Sequence, residues 1–380
     1  MAQSGTRLDR VALVTDSFTT GGGLNQIYHV ASGMSDIQFG VFADGGSDTE
    51  GLERLANVVL FDRGYGRGYI NEYGPQIVHI HHLRPLLSYY SNTLRRAGIP
   101  VLFSVHGIHL HRYEFLPGLR SGVGRLLRLN LERHLYRKVS RLIAVSEEDQ
   151  RYLRENHGID SCIHVPNGID FETFDRIRLS KQGLRKEFSL PPNSLLFLTV
   201  GRFSFQKGYD LLIKALGLAR RNLSGRDVKF VLVGEGEELV SATNLAREQG
   251  VSDIVLFLGR VQGAGRLMKA SDVFVLPSRW EGLPITLLEA ACCRLPILCS
   301  DTYGSREIVK DGETGLTFEN QNVEQLAARI LEVVDGKHDL EALASKADAK
   351  VRAKHSLDAM VAKLRSVYNE LLGIAAAATD

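Results

Sequence analysis

The stretch ASDVFVLPSRWEGLPITLLEAACCRLPIL, residues 270–298, carries the reading on which the fold turns. Residues 273–276 form a short, β-branched apolar run, as a buried strand requires. PSRWEG follows as a loop. Residues 283–293 then have helical spacing, with Pro284 in the first turn, where a missing N–H costs nothing. Another buried strand opens at 297. Strand, loop, helix, strand is one unit of a parallel α/β sheet. Such sheets bind ligands beyond the carboxyl ends of their strands, which makes the loop carrying Glu281 the place to expect chemistry. Glu289 lies about two turns further on.

The same pattern runs outward in both directions. Strands are expected at 11–15, 39–42, 77–81, 101–105, 142–145 and 163–165. A second set is expected at 195–200, 229–233, 254–257, 273–276 and 297–299. Helices are expected to open near Leu24, Leu83, Leu119 and Glu147, then near Lys207, Glu237, Gln262, Leu283 and Val323. Between the sets lies DFETFDRIRLSKQGLRKEFSLPPNS, residues 170–194, polar and closing with Pro191-Pro192. The boundary is placed there, giving an amino-terminal domain of 1–188 and a carboxyl-terminal domain of 189–356. A last helical pattern, 357–372, is free to complete the first. The fold class is α/β, with two Rossmann-like domains.

Composition removes several function classes. The chain has 380 residues and a net charge of +2, from 46 basic and 44 acidic residues. That balance, with no aromatic–basic platform, speaks against nucleic-acid binding. No apolar stretch reaches membrane-spanning length and no signal peptide opens the chain, so a cytoplasmic protein is expected. Cys162, Cys292, Cys293 and Cys299 form no CxxC, and the vicinal Cys292 and Cys293 read as small apolar fillers. HIHH at 79–82 and HGIHLH at 106–111 lack a zinc frame or a neighbouring carboxylate, so no metal site is expected. Asp16–Leu24, DSFTTGGGL, is a glycine-rich loop after the first strand but not a dinucleotide fingerprint.

The residues placed after strands suit one kind of ligand. A carboxylate accepts hydrogen bonds from two adjacent hydroxyls, so Glu281 and Glu289 suit a ribose or a sugar ring. Either also suits a solvated helix face or a buried ion pair. Gly201-Arg202 ends a strand and Lys207-Gly208 opens the next helix. Two fixed cations there suit a diphosphate whose charge grows as a bond to it breaks. They read equally as two surface cations. His106 in SVHG follows another strand and can donate to a hydroxyl or a phosphate.

On these residues the chain resembles the retaining, two-domain glycosyltransferases with an E-x7-E signature, glycosyltransferase family 4 or group 1. The carrying stretches are VGRFSFQKGYDLLIKAL, FVLVGEGEE, VLFLGRV, EGLPITLLE and REIVKDGETGLTF. The resemblance implies the GT-B arrangement, two Rossmann-like domains facing a cleft, and no cofactor or metal beyond a nucleoside-diphosphate sugar, with a UDP-sugar favoured. It implies that Arg202 and Lys207 clamp the diphosphate and that Glu289 takes the ribose. Glu281, with Gly282, Leu283 and Pro284, would lie near the transferred sugar, and His106 beside it. Gly22 and Gly23 would face the diphosphate and the acceptor. Arg260 would meet the base through its backbone. Asp301-Thr302-Tyr303-Gly304-Ser305 departs from the glycine-rich turn usual at that place.

The acceptor is expected to be a saccharide or a lipid-linked sugar. Arg84, His109, Arg112 and Tyr113 are candidate contacts by location. Residues 117–141, PGLRSGVGRLLRLNLERHLYRKVSR, form a basic amphipathic pattern. It suits peripheral contact with an anionic membrane, or an apolar stripe packed on the first sheet under a wet basic face. A non-catalytic nucleotide-sugar-binding scaffold, a GDP-mannose-dependent mannosyltransferase and a sugar-nucleotide epimerase are the alternatives.

Overall fold

A computed structural model describes residues 7–19, 21–91, 98–107 and 119–374. The chain forms two compact units, Met1–Gly168 with Leu357–Asp380, and Ile169–Ser356. The first contains β1 (Arg10–Val14), α1 (Gly22–Gly33), β2 (Gln38–Phe42), α2 (Glu50–Glu53), β3 (Val58–Phe61), α3 (Arg67–Tyr73), β4 (Ile77–Ile80), α4 (Leu83–Ser91), β5 (Val101–Val105), α5 (Leu119–Tyr136), β6 (Arg141–Ala144), α6 (Glu147–His157) and β7 (Cys162–His164). Its seven strands run parallel in the order β3-β2-β1-β4-β5-β6-β7.

The second unit contains α7 (Phe171–Asp175), α8 (Lys181–Glu187), β8 (Leu195–Val200), α9 (Tyr209–Leu223), β9 (Val228–Val233), α10 (Leu239–Glu248), β10 (Val255–Gly259), α11 (Ala264–Ala270), β11 (Val273–Leu276), α12 (Ile285–Cys292), β12 (Ile297–Ser300), α13 (Tyr303–Arg306), β13 (Leu316–Phe318), α14 (Val323–Val334) and α15 (Leu340–Lys354). Its six strands, also parallel, run β10-β9-β8-β11-β12-β13. The closing helix α16 (Leu357–Leu372) belongs to the first unit.

Parallel strands covered on both faces read as continuous apolar runs, which is why most were visible in sequence. In β1, Val11 and Leu13 pack with α1 and α16, while Ala12 and Val14 pack with residues of α4 and α5. The sequence reading missed β3 and β13. Both are short edge strands, and β3 leaves Val59 exposed. Four helices of the second unit open about two residues later than expected. At α9 the cause is local: Phe205–Lys207 is a 3-10 turn, and Gly208 takes a left-handed φ of 67° before the helix begins. Pro284 is the N-cap of α12 rather than a first-turn residue.

The units divide between Gly168 and Ile169, about twenty residues before the boundary expected at 188. Residues 169–188 looked like a linker because they are charged. One of those charges is a buried staple. Arg185 donates to the carbonyls of Ala270 (2.9 Å), Pro192 (2.7 Å) and Ser194 (3.0 Å) and pairs with Asp272 at 2.6 Å, fixing α8 to the second unit.

In each sheet the connections reverse direction beside the first strand, between β1 and β4 and between β8 and β11. The loops leaving the carboxyl ends of these strands splay apart, leaving the crevice in which α/β folds take ligands. Four segments therefore matter most: Thr15-Asp16, His81-His82, Gly201-Arg202, and Pro277 to Pro284.

Candidate functional site

The second unit is considered first. Tyr209, fully buried, donates its hydroxyl to the carbonyls of Gly201 and Val233, both at 2.9 Å. The loop after β8 is thereby tied to the start of α9. Gly208 locks it to the loop after β11, since a Cβ at Gly208 would lie 2.1 Å from the Pro277 carbonyl oxygen. The Lys207 side chain lies along Gly201, where a Cβ would sit 3.5 Å from its Cδ. Lys207 Nζ donates to Glu281 Oε1 at 2.5 Å, and Ser278 Oγ donates to the same oxygen at 2.6 Å. The Glu281 side chain is only 6% exposed. A carboxylate so deeply placed needs its cation.

The sequence reading did not anticipate what holds this loop. Arg279, also buried, makes a two-pronged pair with Asp210 at 2.9 and 2.8 Å. It donates to the Phe205 carbonyl at 2.6 Å and lies over the Phe205 ring, 3.9 Å from its centroid. Asn320 donates to the Arg279 carbonyl at 2.8 Å. Gly304 supports the loop from below: a Cβ there would overlap the Gly282 carbonyl oxygen, at 1.3 Å. The turn that departs from the family pattern thus keeps a glycine where packing demands one. Arg279, Asp210 and Asn320 act across sequence separations that no local pattern reports.

Arg202 is more open. Its Nε pairs with Glu237 at 3.1 Å, with both side chains more than half exposed, a pair that contributes little stability. Glu289 sits on α12 and is half-buried. Its carboxyl has no hydrogen-bond partner among the described residues, and burial pushes its pKa up to about 7. Leu283 is buried beside Gly282. Arg260 is exposed just after β10 and follows Gly259, whose amide-bearing turn receives the Gly234 N–H at 2.8 Å through its carbonyl. Structure thus joins Lys207 to Glu281 directly, and leaves Arg202 and Glu289 without a direct contact to either.

In the first unit the corresponding place is lined with imidazoles. Gly22 and Gly23 open α1. Gly23 has no room for a side chain, since a Cβ would come within 2.5 Å of the His82 ring. His82 Nδ1 shares a hydrogen bond with Thr15 Oγ1 at 3.0 Å. His81 Nδ1 lies 3.0 Å from His106 Nε2 and 3.1 Å from Gln26 Oε1. His79 is tied to Tyr368 (2.7 Å) and Ser104 (2.7 Å). Burial depresses the His79 pKa to about 3 and takes His81 well below its ordinary value, so both rings are neutral. Among the described residues no group of three or more His, Cys, Asp or Glu is arranged to hold a metal.

Arg84 pairs with Asp44 at 3.0 Å and Asp16 at 3.4 Å beside a cavity of about 300 Å³ lined also by Tyr65 and Ser88. His109, Arg112 and Tyr113 lie outside the described residues. The stripe on α5 is split. Leu135 is buried, and Glu132 is buried between Arg128 (2.5 Å) and His157 (3.3 Å). Val123, Leu126, Leu127 and Leu131 are exposed. No helix among the described residues is long and apolar enough to cross a membrane.

Two family profiles match the chain. The one described as glycosyl transferases group 1 covers residues 180–350, and the one described as glycosyltransferase family 4 covers 28–173. The chain is 32% identical over 248 residues to the Escherichia coli UDP-Gal:alpha-D-GlcNAc-diphosphoundecaprenol alpha-1,3-galactosyltransferase, a match covering 64% of this chain and 62% of that enzyme. It is 28% identical over 263 residues to a GDP-mannose-dependent monoacylated alpha-(1-6)-phosphatidylinositol monomannoside mannosyltransferase of Corynebacterium glutamicum, covering 66% of this chain and 65% of the relative. The fold matches Anabaena HepE, solved in complex with UDP and glucose, at a TM-score of 0.80 and 19% identity over 95% of this chain and all of that one, 100%. Two parallel-sheet Rossmann-like units, matched by these two profiles and by GT-B structures, place the chain in the glycosyltransferase family 4, or group 1, glycosyltransferases.

Proposed function

We propose that the protein is a retaining hexosyltransferase. It moves a hexose or N-acetylhexosamine from a nucleoside-diphosphate sugar, a UDP-sugar in the first instance, to a saccharide or lipid-linked acceptor in polysaccharide or glycolipid assembly. The observation that carries this reading is the Lys207–Glu281–Ser278 cluster at the strand reversal of the second unit. It sets a cation and a hydroxyl-accepting carboxylate side by side, as a sugar joined to a diphosphate requires.

Lys207 and Arg202 offset the charge that grows on the leaving diphosphate, so the transfer needs no metal. Each is already paired with an acid, and the donor takes a share of each cation. Glu289 accepts from the ribose hydroxyls. Glu281 accepts from hydroxyls of the transferred sugar, and Ser278 fixes its rotamer. His106 donates to the same sugar. In the transfer the acceptor oxygen bonds to the anomeric carbon on the face from which the diphosphate oxygen departs. The acceptor proton passes to that oxygen, giving the nucleoside diphosphate and a glycoside of unchanged configuration. The GDP-mannose-dependent relative keeps guanosine donors as the second reading.

A thermal-shift panel of nucleoside diphosphates and their sugars, without divalent metal, tests this on wild type and Glu289→Ala. One base series should raise the unfolding temperature of wild type and leave the variant unmoved. Silence across the panel, with and without saccharide acceptors, removes the nucleotide-sugar donor from the account.

The exposed apolar residues of α5 beside the exposed Arg125 support peripheral contact with anionic lipid on the cytoplasmic face. The variant Leu126→Ser/Leu127→Ser should lose co-sedimentation with vesicles containing anionic lipid. Unchanged sedimentation removes the membrane from the account.

A further inference from the structure

The crevice of the first unit holds one histidine whose proton can be placed. His82, two residues after β4, stands beside the opening of α1. A Cβ on Gly23 would lie 2.5 Å from its Cε1 and 2.9 Å from its Nε2. Gly22, next to it, has nothing within 4 Å of where its Cβ would stand, so space is open there. The His106 ring stacks on His82 with centroids 6.2 Å apart.

Nδ1 of His82 faces two groups from the end of β1. The Asp16 backbone N–H points at it from 3.4 Å, and Thr15 Oγ1 lies 3.0 Å away. A backbone N–H can only donate. Nδ1 is therefore the bare, accepting nitrogen, and the Thr15 hydroxyl donates to it as well. Burial lowers the His82 pKa, against the pull of the Asp16 charge, so the ring carries one proton near pH 7. That proton is on Nε2. Nε2 of His81 is a buried orphan, whereas Nε2 of His82 has no partner among the described residues and still reaches solvent. An N–H donor is thus fixed in place and left for a ligand.

The surrounding charge decides which oxygen it takes. Asp16 turns its backbone to His82 and its side chain to Tyr65 (3.3 Å) and Arg84 (3.4 Å), two of the residues that line the cavity of about 300 Å³. Both contacts use Oδ1, and Oδ2 has no hydrogen bond among the described residues. Two carboxylates, Asp16 and Asp44, stand against the one guanidinium of Arg84. All three side chains are at least 40% exposed, so their pairing contributes little to stability. A phosphate would meet surplus negative charge. A hydroxyl suits the place, because it accepts from an N–H and donates to a carboxylate.

We propose that His82 and Asp16 are a hydroxyl-reading pair for the sugar acceptor, with His82 Nε2–H donating to a hydroxyl oxygen and the Asp16 carboxylate accepting from that hydroxyl or its neighbour on the ring. The pair rests on the saccharide acceptor of the proposed function; the tautomer of His82 does not.

The test uses the full chain with 15N-labelled histidine rings and long-range proton–nitrogen spectra, with His82 assigned by comparison with His82→Gln. Wild type should show Nδ1 bare and Nε2 protonated. The reverse pattern overturns the proposal, whether or not any other variant folds. The probes are the methyl glycosides of glucose, galactose, mannose and N-acetylglucosamine and, separately, inorganic phosphate at equal ionic strength. At least one glycoside should move the Nε2–H signal, and phosphate should not. Asp16→Asn keeps the backbone N–H and so should keep the tautomer. It should weaken the glycoside response about tenfold, as the loss of one hydrogen bond to a charged group does. Movement by phosphate alone, silence with every glycoside, or an Asp16→Asn response equal to wild type each overturns the pair. If the glycosides behave as expected while no nucleotide sugar binds, the pair stands and the proposed reaction fails. Turnover of a nucleotide sugar with His82 unmoved by every glycoside does the reverse.

Discussion

The two strand reversals are built alike and finished differently. Beside β8 and β11 the loops carry ions: Lys207 on Glu281, Arg202 on Glu237, Arg279 on Asp210. Beside β1 and β4 the innermost groups are imidazoles kept neutral by burial. In one crevice a buried carboxylate is met by its cation; in the other the buried groups are neutral rings, and the ions, Arg84 with Asp16 and Asp44, stand at the exposed rim. The same backbone geometry thus serves two tasks, and side-chain solvation decides between them. A cation near solvent stays charged. A buried histidine is held neutral and aimed.

Removing a charge from the second crevice should cost most. Lys207→Ala leaves Glu281 buried with Ser278 alone, and removes a cation from the leaving group. We expect kcat/KM to fall by about a hundredfold to a thousandfold, as for loss of one strong stabilising donor. Steady-state transfer assays read this. A fall under threefold would put the charge elsewhere. Glu289 gives a smaller and sharper signature. Its carboxyl is raised from 4.5 to about 7, so in the free protein it favours stability at low pH. That contribution is full below about pH 4.5 and is lost as pH rises through about 7. Glu289→Gln should therefore be more stable than wild type at pH 8, by about 1–3 kcal/mol, and equal to it near pH 4. Ribose hydroxyls favour the ionised carboxyl, so nucleotide affinity should rise with pH through 7 in wild type and stay flat in the variant. Calorimetry in two buffers, with proton release counted, checks both signs. The least effect is expected in the first crevice. Tyr368→Phe deletes one hydrogen bond to His79 and should cost about 1 kcal/mol in denaturant unfolding. Because His79 stays neutral, that cost should not vary between pH 6 and 8.

Much of this was open to reading in the sequence. Parallel sheets bury strands on both faces, so runs such as 195–200 and 273–276 stand out, and the residues just after them could be singled out. Glu281 and Lys207 were visible as types in position. Their mutual contact was not, because it joins residues 74 apart through two loops. Arg279 and Arg185 illustrate the same failure. In sequence each is one more charge on a polar stretch, whereas in the fold each is buried with its partners supplied by distant carbonyls and carboxylates. The boundary was misplaced for that reason. The edge strand β13, three residues long, also escaped notice.

The chain enters the second unit at Ile169 and leaves it at Ser356, and the two points are joined: Ile169 N donates to the His355 carbonyl at 2.9 Å. The second unit is thus one unbroken segment whose ends meet, while the first is made of two pieces separated by it. On the ribosome the first unit begins earlier but cannot close. The face of its sheet that α1 covers in part stays unfinished, and His79 lacks its Tyr368 partner, until α16 brings Met360, Leu364 and Tyr368. The unit that starts first is completed after the other.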